Sequence, residues 1–441
     1  MKGFIITLAA ICCLPVTAQE AWSLRRCIDH AVTHNINIRQ TANAAEQQAV
    51  SVNTAKFARL PNLQASAGQQ WNWGRTQTAV KDAETGDYST VYVNTHSNGS
   101  NLSVGTSVPI FTGLQLPNKL SMAKLDLQAA IADLAKAKED IAIQVAQAYL
   151  QVLFCKELYG VAYTQVELSK QQWQRLKRLQ ELGKSGTAEV AEAEARVASD
   201  ELNVVQCRND YDLALLELSQ LIELETPEGF TLEEPQQEVS TTPLTPPDDI
   251  YQTALLQKPS VQAARYRLEG SRHNIRVAQS GYYPQLYLNG SLSTSYYSTL
   301  ERSFSQQLND NFNKYIGLSL SIPLFNRLAT RNGVRTAKLQ QKNYALQLEG
   351  VKKVLYKEIQ QAWYNATAAL AKYESSRSAA QAGREAFRLM TGKYENGMAN
   401  AVEYNESKQN LLQAESAELQ AKYDYLFRTK ILDFYQGKEI Q

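Results

Sequence analysis

The chain has 441 residues, a formal charge of +1 and only 12 prolines. Near-balanced charge removes the electrostatic footprint that a nucleic-acid partner would need, so no nucleic acid is expected. Of five cysteines, Cys27, Cys155 and Cys207 are too widely spaced to make a disulfide framework or a zinc site.

The N-terminus reads as a secretory signal over residues 1–18. Lys2 gives the positive start, Phe4 to Leu14 an apolar core too short to span a bilayer, and Val16-Thr17-Ala18 a small-residue cleavage site. Cys12 and Cys13 raise a lipoprotein reading, although Ile11 stands where a small residue would precede a lipidated cysteine. The remaining Cys27, Cys155 and Cys207 fall in helical patterns and read as buried thiols.

From Trp22 to Phe57 apolar residues recur at three and four, which predicts one helix ended by Arg59-Leu60-Pro61. The period then becomes two. Leu63, Ala65, Ala67, Trp71 and Trp73 alternate with polar residues over 62–74, and Leu102, Val104, Val108 and Ile110 do so over 100–110. A polar loop is expected between them, from Arg75 to Gly99.

A long proline-free run follows, from Asn118 to Thr226. Proline inside a helix costs about 3 kcal/mol, so its absence permits very long helices. Leu120, Leu127, Leu134, Ile141, Ala148 and Cys155 form a heptad stripe beside a row of alanines. The break at Leu182-Gly183-Lys184-Ser185-Gly186 turns the chain, giving a helical hairpin over 117–223 with Pro117 as a first helical residue. Residues 225–247 hold Pro227, Pro235, Pro243, Pro246 and Pro247 and read as a linker.

The pattern then repeats: a helix from Asp248 broken at Pro259, strands over 285–297 and 314–323, and a hairpin over 327–436 turning at Asn396-Gly397-Met398. Pro109 to Gly183 and Pro323 to Gly397 have the same separation. The chain therefore reads as two copies, 19–224 and 248–441, of a helix–β-hairpin–long helix–return helix unit. The strands suit either a transmembrane barrel or a soluble half-buried sheet. Four strands cannot close a barrel, which needs about eight, and an open edge cannot face lipid. If the strands sit in a membrane, several chains must share one barrel.

This order of elements, the two strand exits SVPIF and SIPLF, and the paired tip glycines resemble the TolC-type outer-membrane efflux channels. The resemblance implies a mainly α fold with a transmembrane β-barrel portion. A homotrimer would combine a periplasmic α-barrel tunnel with a shared 12-stranded β-barrel. It implies a location in the outer membrane, among its lipids, as a passive channel of a tripartite efflux or export system. A periplasmic adaptor (membrane-fusion) protein and an inner-membrane transporter are the expected partners. Adaptor contacts would fall on Leu182, Gly183, Lys184, Asn396, Gly397 and Met398. Tyr394 stands where the family has an aperture-closing tyrosine, Glu403 and Glu406 where it has acids at the pore entrance, and Glu189 takes the equivalent place in the first copy. Ala399 replaces the gating arginine, so the family's closing network does not carry over intact.

The residues support this in part. Glu403 and Glu406 share a helix face, and carboxylate rings attract cations. Asn400-x-x-Glu403 also fits a capping box, and Glu189 fits a plain first-turn acid. Tyr394 could equally pack between helices. His30 and His34, one turn apart, lack a third metal ligand, and Gly183-Lys184-Ser185 lacks the leading glycine of a phosphate loop. Other paired acids read as solvated faces. No catalytic site, metal or cofactor is expected. The competing reading is a secreted helical scaffold that binds partners without a pore.

Overall fold

The computed structural model describes residues 21–81, 86–226, 229–233 and 243–438. The expected signal, with Cys12 and Cys13, and part of the expected linker lie outside the described residues. The chain forms two compact units, one of residues 1–44, 131–263 and 349–441, the other of 45–130 and 264–348.

Instead of one N-terminal helix there are two, α1 (Leu24–His34) and α2 (Ile36–Phe57). Asn35 separates them because its side chain competes with the helix. It donates to the Leu221 carbonyl at 3.2 Å and accepts from the Asn37 amide at 3.0 Å. The strands β1 (Asn62–Lys81) and β2 (Tyr88–Thr112) correct the expected loop at Arg75–Gly99. That stretch is rich in Thr, Val and Tyr, which favour strand wherever a partner strand is at hand. After α3 (Gln115–Glu181) and α4 (Thr187–Leu221) come α5 (Pro247–Gln257), α6 (Pro259–Gln279), β3 (Gln285–Tyr297), α7 (Phe304–Asp310), β4 (Asn313–Ser321), α8 (Ala329–Glu395) and α9 (Ala401–Tyr435). The α5–α6 break falls at Lys258, before Pro259, where helical backbone is disfavoured.

The duplication is visible in the backbone. α3 and α8 both have 67 residues, and α4 and α9 both have 35. Each long helix follows two residues in left-handed conformation, Gly113-Leu114 in one copy and Arg327-Leu328 in the other. α3 therefore starts at Gln115, and Pro117 lies inside its first turn.

In the first unit the core gathers Cys27 and Ala31 of α1, Val145 and Leu153 of α3, and Leu218 and Ile222 around the end of α4. Phe230 and Leu232 are also buried in it, so this part of the expected linker is core. Trp22 and Leu232 form a parallel bridge, and the Tyr149 hydroxyl donates to the Glu233 carbonyl at 2.5 Å.

In the second unit the four strands form one antiparallel sheet in the order β1-β2-β3-β4. β1 and β4 are open edges. One face carries Leu63, Val104, Leu292, Ile316 and Leu318, all exposed in the single chain. The other pairs small polar residues, for example Ser66 with Ser103 at 2.7 Å and Ser107 with Asn289 at 2.8 Å. Among the described residues no helix is long and apolar enough to cross a membrane.

Candidate functional site

The two helical turns close in the same way. Lys184 N–H donates to Leu179 O and Gly183 N–H to Gln180 O, both at 2.8 Å. Met398 N–H donates to Lys393 O at 2.9 Å and Gly397 N–H to Tyr394 O at 3.2 Å. Both are Schellman caps, which need a left-handed residue just past the helix. Gly183 and Gly397 supply it at φ +70° and +73°, with nothing near the place a Cβ would occupy. Backbone conformation, not crowding, requires glycine here. Leu182 and Met398, at 69% and 70% exposure, leave large apolar side chains in the open at these turns, and Lys184 and Asn396 are exposed beside them.

α9 begins with a complete capping box. Glu403 N–H donates to Asn400 Oδ1 at 2.9 Å, and Asn400 N–H to Glu403 Oε2 at 3.1 Å. Glu403 and Glu406 are exposed. Glu189, also exposed, accepts from the Ser185 hydroxyl at 2.5 Å in the first turn of α4.

Tyr394 is held from three sides. Gln172 Nε2 of α3 donates to its hydroxyl at 2.5 Å, Tyr404 of α9 stacks on its ring at 4.7 Å, and the Arg175 guanidinium lies 5.7 Å from the ring centre. Arg175 also donates to the Glu395 carbonyl at 3.1 Å. Burial pushes the phenols of Tyr394 and Tyr404 above their ordinary value, so both stay neutral. Ala399 contributes no polar side chain here. The contacts of Tyr394 come instead from α3 and α9.

Behind the turns lies a cluster that the sequence reading missed. Lys408 of α9 and Asp200 of α4 keep only 4% and 9% of their side-chain surface, with Nζ and Oδ2 3.4 Å apart. Lys408 also donates to the Ser169 hydroxyl of α3, which itself donates to Asp200. The Arg196 Nε lies 3.5 Å from the other Asp200 oxygen. Burial pulls the Lys408 ammonium below the usual lysine range, against the pull of Asp200. Three helices are thus tied by one buried charge pair, and Asp200 corrects the view of the helix acids as solvated. The available signal was that Lys408 follows the buried Tyr404 by one turn on the same face.

The histidines do structural work. His30 Nδ1 donates to the Ile222 carbonyl at 2.8 Å, and the His34 ring stacks on it at 4.1 Å. Among the described residues no group of three His, Cys, Asp or Glu side chains could hold a metal ion. Cys27, Cys155 and Cys207 are buried free thiols.

These elements have counterparts in known proteins. Over 415 residues the chain is 22% identical to the outer membrane protein TolC of Escherichia coli, covering 92% of this chain and 80% of that protein. Over 303 residues it is 23% identical to the alkaline protease secretion protein AprF of Pseudomonas aeruginosa, covering 68% and 62%. The crystal structure of the outer membrane protein VceC of Vibrio cholerae aligns with a TM-score of 0.76 at 18% identity, over 95% of this chain and 97% of that one. The sequence profile of the family described as outer membrane efflux protein matches twice, over residues 27–222 and 250–437. Each match ends where one copy of the helical hairpin ends, and together they place this chain in the outer membrane efflux protein family.

Proposed function

We propose that three copies of this chain pool their strands into one 12-stranded outer-membrane barrel. Their hairpins continue it as a periplasmic tunnel, and the assembly is the passive exit duct of a tripartite efflux system. The four-stranded sheet carries this reading. It has two open edges and one apolar face, and those edges become tolerable in lipid only if other chains pair with them. The duct does no covalent chemistry, and the energy comes from an inner-membrane transporter. A periplasmic adaptor docks on the exposed turns at Leu182-Gly183-Lys184 and Asn396-Gly397-Met398. Glu403 and Glu406, repeated by symmetry, draw cations to the aperture, with Glu189 nearby and Tyr394 holding α8 to α3 and α9. Opening is an untwisting of the return helices, α4 and α9, at this end.

The test is to recover the protein from outer membranes, size it by native mass spectrometry and record it in planar bilayers. A trimer with discrete, cation-preferring conductance is expected. A water-soluble monomer refutes the duct and leaves the partner-binding scaffold. The name of AprF refers to protease secretion, which favours one second reading, a channel for an exported protein. The drug-sensitivity and secretion profiles of a deletion strain separate these cargoes.

A further inference from the structure

β1 and β2 pair in one unbroken register from Asn62↔Ser107 to Lys81↔Tyr88, so each face of this ribbon can be followed along its length. The face of Asn62, Gln64, Ser66 and Gln70 is polar through its lower part, opposite Ser103 and Asn101 of β2. Beyond Gly74 the same face carries Val80, Val91 and Val93, with Thr76 and Thr78. The opposite face changes the other way. It carries Leu63, Leu102, Val104, Trp71 and Trp73 below, then Arg75, Gln77 and Asn94, with Tyr88 and Tyr92. The branched aliphatic side chains change sides at Trp73-Gly74.

The switch falls shortly beyond the point where the sheet narrows. β3 pairs with β2 only as far as Gly99↔Tyr297, and from there β1 and β2 continue alone. From Gln70 to Lys81, at 3.4 Å per residue, the free ribbon is roughly 37 Å long. The apolar band from Leu63 to Trp73, tilted as barrel strands are, spans about 25 Å and ends in aromatics, as a membrane band does. The ribbon beyond it stands in water, where an uncovered two-stranded hairpin is marginal. Yet Val80, Val91 and Val93 are 45%, 43% and 44% exposed.

We infer that this valine face is covered by the same face of the other copies, the ribbons leaning together over the barrel mouth as a cap that narrows it. The inference rests on the shared barrel proposed above. In that barrel the polar face lines the lumen, so the valines point toward the axis, and rotation brings the copies of one patch together. Lipid cannot cover this patch, which lies past the tryptophans and on the lumen side. A strand added by an outside protein would use the ribbon's edges, not its face. Gly74, with no atom within 4 Å of its Cβ position, gives the strand a place to bend at the switch.

Cysteine crosslinking in outer membranes tests this. Val91→Cys and Val93→Cys, treated with a short bismaleimide, are expected to give a linked dimer band. Gln77→Cys, on the opposite face, and the parent chain with its buried thiols are expected to give none. A native trimer that does not link at either valine overturns the cap and leaves the shared barrel standing. A native monomer overturns both. The triple variant Val80→Ser, Val91→Ser, Val93→Ser should at least double single-channel conductance, and unchanged conductance overturns the narrowing.

Discussion

The buried Lys408–Asp200 pair makes the sharpest energetic prediction. Removing one partner of a buried ion pair costs about 3–5 kcal/mol, because the other charge stays desolvated. The structure makes the two single losses unequal. Lys408→Met leaves Asp200 with the Ser169 hydroxyl and with Arg196 at 3.5 Å, so its cost should fall near ~3 kcal/mol. Asp200→Leu leaves the ammonium facing Arg196 with no carboxylate, so its cost should approach ~5 kcal/mol. The double variant removes both charges. Arg196 keeps 33% of its side-chain surface and can turn its charge to water. The double variant should then lie within about 2 kcal/mol of the parent, since apolar replacement of such a pair is often neutral. Urea unfolding of the detergent-solubilised protein, followed by far-UV circular dichroism, gives the midpoints and checks that the slope is constant. Single costs that simply add in the double variant would refute the coupling.

Burial pushes the Cys27 thiol up to about 12 from an ordinary value of 9.0. Its neutral form is the buried one, so the stabilisation is complete below pH 9 and is lost as pH rises through about 12, at up to ~1.4 kcal/mol per pH unit. Cys27→Ala should lower stability at neutral pH yet flatten that alkaline slope, and an unchanged slope in urea midpoints would show that another group sets it. Gly183→Ala and Gly397→Ala should each cost about 1–2 kcal/mol from the left-handed backbone alone. Tryptophan at either place should in addition abolish efflux while native gels still show the oligomer, and loss of the oligomer would assign the glycines to folding. Glu403→Gln keeps a capping side chain and removes its charge. Combined with Glu406→Gln, it should reduce cation preference in bilayers without changing helix content, and unchanged reversal potentials would take both acids out of the aperture.

The duplication, the hairpin lengths and the tip glycines were legible in the sequence because each depends on local rules. Proline breaks helices, glycine takes positive φ, and alternation marks a strand wherever one face is apolar. The stretch from Arg75 to Gly99 was not legible as strand, because above Trp73 its aliphatic residues move to the other face and mix with Thr and Tyr. Only the pairing of Arg75 with Asn94 and of Thr78 with Val91 makes it β.

Local pattern thus determined the repeated order of strands and long helices, the equal helical hairpins and a strand count too small for a closed barrel. Tertiary structure alone decided that Lys408 meets Asp200 and Ser169, that Gln172 and Arg175 hold Tyr394, and that Phe230 and Leu232 belong to the core. These contacts join residues far apart in the chain. Which charge is buried depends on which helix faces it, and no periodicity within one helix carries that information.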